Sequence, residues 1–83
     1  MKTIVYTDIA VRQLGALPDE AQERVTEGIE RYAVSGHGDV KALSGRSGYR
    51  LRIGSYRVIF DEDQATILAI YIGKRETTTY RRN

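Results

Sequence analysis

The chain has no cysteine and a single histidine among its 83 residues. Without cysteine there is no disulfide framework and no thiol chemistry, which suits a reducing cytosol. One histidine and no cysteine leave a zinc site without its usual ligands. No apolar run approaches the roughly 18 residues of a membrane-spanning helix, and the N-terminus reads as a strand, not a signal peptide. Internal repeats, linkers and low-complexity tracts are all missing. The expectation is one soluble, cytoplasmic domain over residues 1–83. A chain of this size buries roughly 60% of its unfolded surface and has one modest core.

Charge is present but unevenly spread. The formal net charge is +2, yet residues 1–40 carry four Lys/Arg against seven Asp/Glu, and residues 41–83 carry nine against four. A basic half on an otherwise balanced small domain suggests a polyanion or an acidic protein as partner.

The hydrophobic pattern gives the order of elements. Lys2–Tyr6 is β-branched and aromatic and predicts a first strand. Thr7 or Asp8 caps a short helix to about Leu17, with Ile9, Leu14 and Leu17 on its inner side. Pro18 followed by Asp19 and Glu20 starts a second helix running to about Val34. Its apolar stripe is Ala21, Val25, Ile29, Tyr32 and Ala33. A glycine-rich loop then leads past Leu43, expected to plug the core, into the segment from Gly48 to Phe60. That segment alternates, breaks at Gly54-Ser55 and alternates again, the signature of a β-hairpin with a two-residue turn. Asp61-Glu62-Asp63 reads as a solvated turn. Ala65–Ile72, apolar on both sides, reads as a central strand covered by helices on one face. The fold class is α+β: an N-terminal strand and two helices packed on an antiparallel sheet of about four strands.

The hairpin also organises the candidate chemistry. With Gly54-Ser55 as the turn, Ile53 faces Tyr56, Leu51 faces Val58 and Tyr49 faces Phe60, all on an apolar side. The other side carries Arg50, Arg52 and Arg57, and the register sets Arg52 directly across from Arg57. Like charges directly opposite are destabilising, so the pair is either a splayed, solvated edge or a preformed anion site. The chain reverses again after Phe60, so Lys74 and Arg75 return to the same end of the sheet. Four cations at one end of one sheet suit a phosphodiester.

Other candidates carry less. His37, between two glycines, reads as a solvated loop residue. The Gly/Ser spacing of residues 44–48 lacks the Lys-Ser/Thr ending of a phosphate loop. The three adjacent acids at 61–63 do not follow calcium-loop spacing.

A phosphodiester of RNA can be cleaved without a metal or other cofactor, because its own 2′-hydroxyl is the nucleophile. The site must then supply a base, charge neutralisation and a proton for the leaving group. Tyr80 is the candidate base, its phenol expected to ionise more readily among clustered cations, with Glu76 second.

The run Leu43-Ser44-Gly45, Gly48-Tyr49-Arg50-Leu51-Arg52-Ile53-Gly54-Ser55-Tyr56-Arg57-Val58-Ile59-Phe60, and the final Ile72-Gly73-Lys74-Arg75-Glu76 with Tyr80-Arg81-Arg82, resemble the RelE/ParE superfamily of bacterial toxins. The resemblance spans essentially the whole chain. It implies a small toxin neutralised by a cognate antitoxin of RelB/ParD type. The RelE branch cleaves messenger RNA on the ribosome, without metal, to a 2′,3′-cyclic phosphate. Carried over by position, it makes Arg52, Arg57, Arg75 and Tyr80 the catalytic set: arginines that clamp the phosphate, with Arg75 also the candidate acid and Tyr80 the base. Arg46, Arg50, Lys74 and Arg81 become RNA-binding. Two departures stand out: arginine replaces lysine at positions 50 and 52, and the Arg75–Tyr80 stretch is about one residue short. ParE-type members are not nucleases and poison DNA gyrase by protein contact. They typically lack the full set of Arg and C-terminal Tyr side chains, so the set present here favours the nuclease. A third reading leaves the basic groove only to dock an acidic antitoxin.

Overall fold

The computed structural model describes residues 1–74. Its elements run β1 (Thr3–Tyr6), α1 (Asp8–Gly15), α2 (Asp19–Ser35), β2 (Asp39–Ala42), β3 (Tyr49–Ile53), β4 (Tyr56–Glu62) and β5 (Thr66–Lys74). The five strands form one sheet in the order β1-β5-β4-β3-β2. The α+β class holds, but the sheet has five strands, not about four, and it is mixed: β1 pairs parallel to β5. Two features account for the difference. β2 is a four-residue edge strand, Asp-Val-Lys-Ala, too short and polar to alternate clearly. The two helices carry the chain from β1 to β2 at the opposite edge, and the β2–β3–β4 meander brings it back to β5 beside β1, so a long connection separates the parallel pair.

The helices form where capping and periodicity place them. The Thr7 hydroxyl accepts a bond from Ala10 N at 3.1 Å and so caps α1. α2 starts after Pro18 with Asp19 and Glu20 in its first turn and stops at Gly36, whose φ of 77° suits glycine. Ala21, Val25, Ile29 and Ala33 are buried along one side of α2, as the stripe predicts. On α1 the buried residue is Ala10, and Ile9 points outward.

Both helices pack on the same sheet face. Ala10, Val25 and Ile29 share a core with Leu51, Val58, Phe60, Ile67, Ala69 and Ile72. Phe60 is fully buried, with Tyr32 edge-on at 5.4 Å and Tyr49 stacked at 5.5 Å. Truncating such a ring to alanine costs about 3–5 kcal/mol. Where β1 ends, α1 takes over the edge of β5: the Thr7 hydroxyl donates to the Ile70 carbonyl and Gln13 Oε1 accepts from Ile72 N at 2.7 Å. No described helix is long and apolar enough to cross a membrane.

The acidic turn is more than solvated. Asp63 Oδ1 accepts from Ala65 N and Thr66 N, both at 2.8 Å, which holds its carboxyl below the ordinary range. Glu62 ends β4 and takes bonds from Lys2 Nζ at 2.6 Å and the Tyr32 hydroxyl at 2.7 Å. Burial, followed by this bond, pushes the Tyr32 phenol up to about 12.

Candidate functional site

The sheet face opposite the helices carries no described helix. The hairpin register is the one the sequence predicts: Tyr49 opposite Phe60, Leu51 opposite Val58, Arg52 opposite Arg57 and Ile53 opposite Tyr56. Gly54 adopts φ 57°, as the first position of a two-residue hairpin turn requires. Partners across a sheet share a face, so two rows cross the open side. One runs Asp39, Arg52, Arg57, Gly73; the other runs Lys41, Arg50, Ile59, Tyr71.

Among the described residues these cations have no carboxylate partner. Among the described residues the ion pair is Lys2 with Glu62, on the other side of the molecule, and no arginine has a carboxylate within reach. Asp39 lies opposite Arg52 in register without forming such a pair. Among the described residues the Nε atoms of Arg50 and Arg57 are buried and find no hydrogen-bond partner. A buried donor left unmade costs about 1–3 kcal/mol, so the arrangement is not one that stability selects.

The loop from β2 to β3 folds over this face, closed by Leu43 N donating to the Gly48 carbonyl at 3.0 Å. It brings Arg46 and Arg57 into one groove of about 400 Å³, with Leu43, Ser44, Ile59, Ile70 and Tyr71 as its other walls. Leu43 therefore lines the groove and does not plug the core. Arg52 instead lines a separate notch of about 330 Å³ beside α2, together with Arg24, Arg31 and His37. Arg50 stays in the second row, between Lys41 and Ile59. Lys74 returns to the turn end as expected, opposite Tyr56, which places it on the helix-side face by alternation. Arg75, Glu76, Tyr80 and Arg81 lie outside the described residues.

Tyr71 is the groove residue that sequence reasoning missed. In β5 the register slips by one between Ile59/Phe60, where Tyr71 and Ala69 are their partners and Ile70 is the extra residue. The bulge turns both Ile70 and Tyr71 outward, at 38% and 39% exposed. Simple alternation from buried Ala69 places Tyr71 in the core. The apolar run from Ala65 to Ile72 offers no polar face from which to read the slip.

No family model matches the sequence, and no curated protein matches it. Solved structures do. RelBE2 of Mycobacterium tuberculosis, a toxin–antitoxin complex, superposes with a TM-score of 0.78 at 24% identity over 89% of this chain and 98% of that one. The archaeal RelE–RelB complex of Pyrococcus horikoshii OT3 gives 0.78 at 23% identity over 93% and 98%. The intact E. coli RelBE complex gives 0.74 at 17% over 92% and 99%. The fold is that of the RelE toxins. The resemblance read from the sequence thus holds at the level of the fold, and the RelE-like chain presents Arg50, Arg52 and Arg57 on the open face of that fold.

Proposed function

We propose that this RelE-like chain is the toxin of a type II toxin–antitoxin module and acts as a ribosome-dependent endonuclease of messenger RNA. The observation that carries the reading is the placement of Arg46 and Arg57 in one groove, with no carboxylate paired to either among the described residues. Arginine forks on a sheet match the non-bridging oxygens of a phosphodiester. Two cations that line one groove favour an anion held between them.

In this mechanism the 2′-hydroxyl of the bound nucleotide attacks the adjacent phosphorus. A P–O2′ bond forms, the P–O5′ bond breaks, and the products are a 2′,3′-cyclic phosphate and a free 5′-hydroxyl. The base takes the 2′-hydroxyl proton and the acid supplies one to the departing O5′. Arg57, with Arg46 across the groove, stabilises the five-coordinate phosphorus as its charge grows, while Arg52, in its separate notch, is assigned to the site by resemblance alone. Tyr80 as base and Arg75 as acid are assigned by resemblance. The internal nucleophile and the cationic clamp together make a bound metal unnecessary to the scheme. The RelE structures of this fold are complexes with an antitoxin, and a RelB-like antitoxin is the partner proposed here.

Brief expression of the chain without an antitoxin, followed by mapping of messenger RNA ends, tests the proposal. New ends in phase with codons, abolished by Arg57→Ala, are the expected result. Arrested growth with intact messages and damaged chromosomes overturns it in favour of gyrase, and turns the arginines into a protein-binding surface.

A further inference from the structure

Two separate departures from a regular sheet converge on Tyr71. The extra residue in β5 rotates it from the core to the open face. Two positions on, the strand carries Gly73, directly opposite Arg57. A Cβ placed on Gly73 would stand 2.6 Å from the Tyr71 hydroxyl and 2.9 Å from its Cζ. The phenol therefore lies along the strand across Gly73, reaching from the Ile59 row to the Arg57 row. A glycine inside a strand weakens it and often marks a close approach, and bulges commonly re-aim side chains beside functional sites.

The ring laid down in this way is 39% exposed, and among the described residues its hydroxyl has no hydrogen-bond partner. Beside it, in the same groove, stand Arg46 and Arg57, over apolar walls from Leu43, Ile59 and Ile70. An aromatic face next to a cationic track is the arrangement by which proteins hold single-stranded nucleic acid: the cations take the phosphate and the ring takes a base. We infer that Tyr71 is a stacking platform for a nucleobase of single-stranded RNA whose phosphate is held by Arg46 and Arg57. The inference rests on the RNA reading of the groove and adds a substrate-contacting residue to it. A ring that only shields Gly73 from water is the competing role.

The two roles separate in an NMR titration of the full chain with a 2′-O-methylated trinucleotide, whose blocked hydroxyl prevents cleavage. The sequence has six tyrosines, and Tyr71→Phe assigns the relevant ring signals. The expected result is an upfield shift of the Tyr71 ring resonances on binding. Affinity should be kept within about twofold in Tyr71→Phe and weakened about tenfold in Tyr71→Leu, as loss of one base–aromatic stack requires. Ring signals that do not move at saturation overturn the inference, as does unchanged affinity in a folded Tyr71→Leu variant. Absence of trinucleotide binding by the wild-type chain overturns it as well. Should Tyr71→Leu fail to fold, the ring shift and the Phe variant decide alone. Stacking seen in a chain that cuts no message in cells leaves the platform standing and removes the nuclease. Codon-phased cutting with a silent Tyr71 ring does the reverse.

Discussion

Arg57 stands where folding energetics alone would not put it, across from Arg52 and with a buried Nε that finds no partner among the described residues. Removing it relieves a like-charge pair and an unmade hydrogen bond together. Arg57→Ala should therefore melt no lower than wild type, while codon-phased cleavage of messages falls by about 10²–10³, the usual cost of one transition-state donor. A large drop in melting temperature would show instead that the residue is structural. Glu62 presents the opposite case, with both carboxylate oxygens occupied by Lys2 and Tyr32. Glu62→Ala strands two donors and should destabilise by about 1–3 kcal/mol in denaturant unfolding. The same bond fixes a pH window. The Tyr32 phenol, raised to about 12 in the folded chain from an ordinary 10.0, contributes stability that is fully present below pH 10 and lost as pH climbs toward 12. Tyr32→Phe should flatten most of that alkaline loss, leaving the smaller part from Tyr6, whose phenol is raised by burial and then by Glu30.

At the scale of elements, close approach of α2 to β3 depends on Gly28. A Cβ there would meet Ile53 Cδ1 at 2.6 Å and Cγ1 at 2.8 Å. Gly28→Ala gains about 1 kcal/mol of helix propensity but overpacks a stiff β-branched neighbour, which costs about 1–3 kcal/mol. The net effect should be destabilising, and Ile53→Val should rescue it in a double-mutant cycle. What the sequence disclosed at this scale follows from how local each signal is. The β3–β4 register was legible because a two-residue turn fixes every pairing up to Phe60. α2 was legible from its cap, its acids and its stripe. β2 was not, since four polar-leaning residues at an edge gain their order from pairing with Tyr49–Arg52 and not from their own pattern. The parallel pairing of β1 was likewise invisible, because only the packed helices decide where the chain returns. The candidate site divides in the same way. Opposition of Arg52 and Arg57 follows from the turn, whereas the groove itself depends on the loop that carries Arg46 and the bulge that exposes Tyr71, both products of tertiary packing.

Seen whole, the molecule turns its uneven charge along the sequence into a difference between faces. Asp8, Asp19, Glu20, Glu23, Glu27 and Glu30 belong to the helices, while Arg50, Arg52 and Arg57 occupy the sheet side that no described helix covers. That side also exposes Val5, Leu68 and Ile70, so it offers both a cationic and an apolar surface. The two surfaces predict different salt dependence. A single strand whose phosphates are neutralised by Arg46, Arg50, Arg52 and Arg57 should bind with a log–log salt slope of about −3, since each contact contributes about −0.7. Arg57→Ala should make the slope shallower by about 0.7, with affinity lowered across sequences alike. Fluorescence anisotropy with a labelled, 2′-O-methylated oligonucleotide over a series of salt concentrations measures both. A slope near −1.4 would mean that only the Arg46–Arg57 groove engages and that Arg50 and Arg52 serve another contact. A slope near zero would remove the polyanion altogether and shift the weight of recognition to the apolar patch, and so to a protein partner.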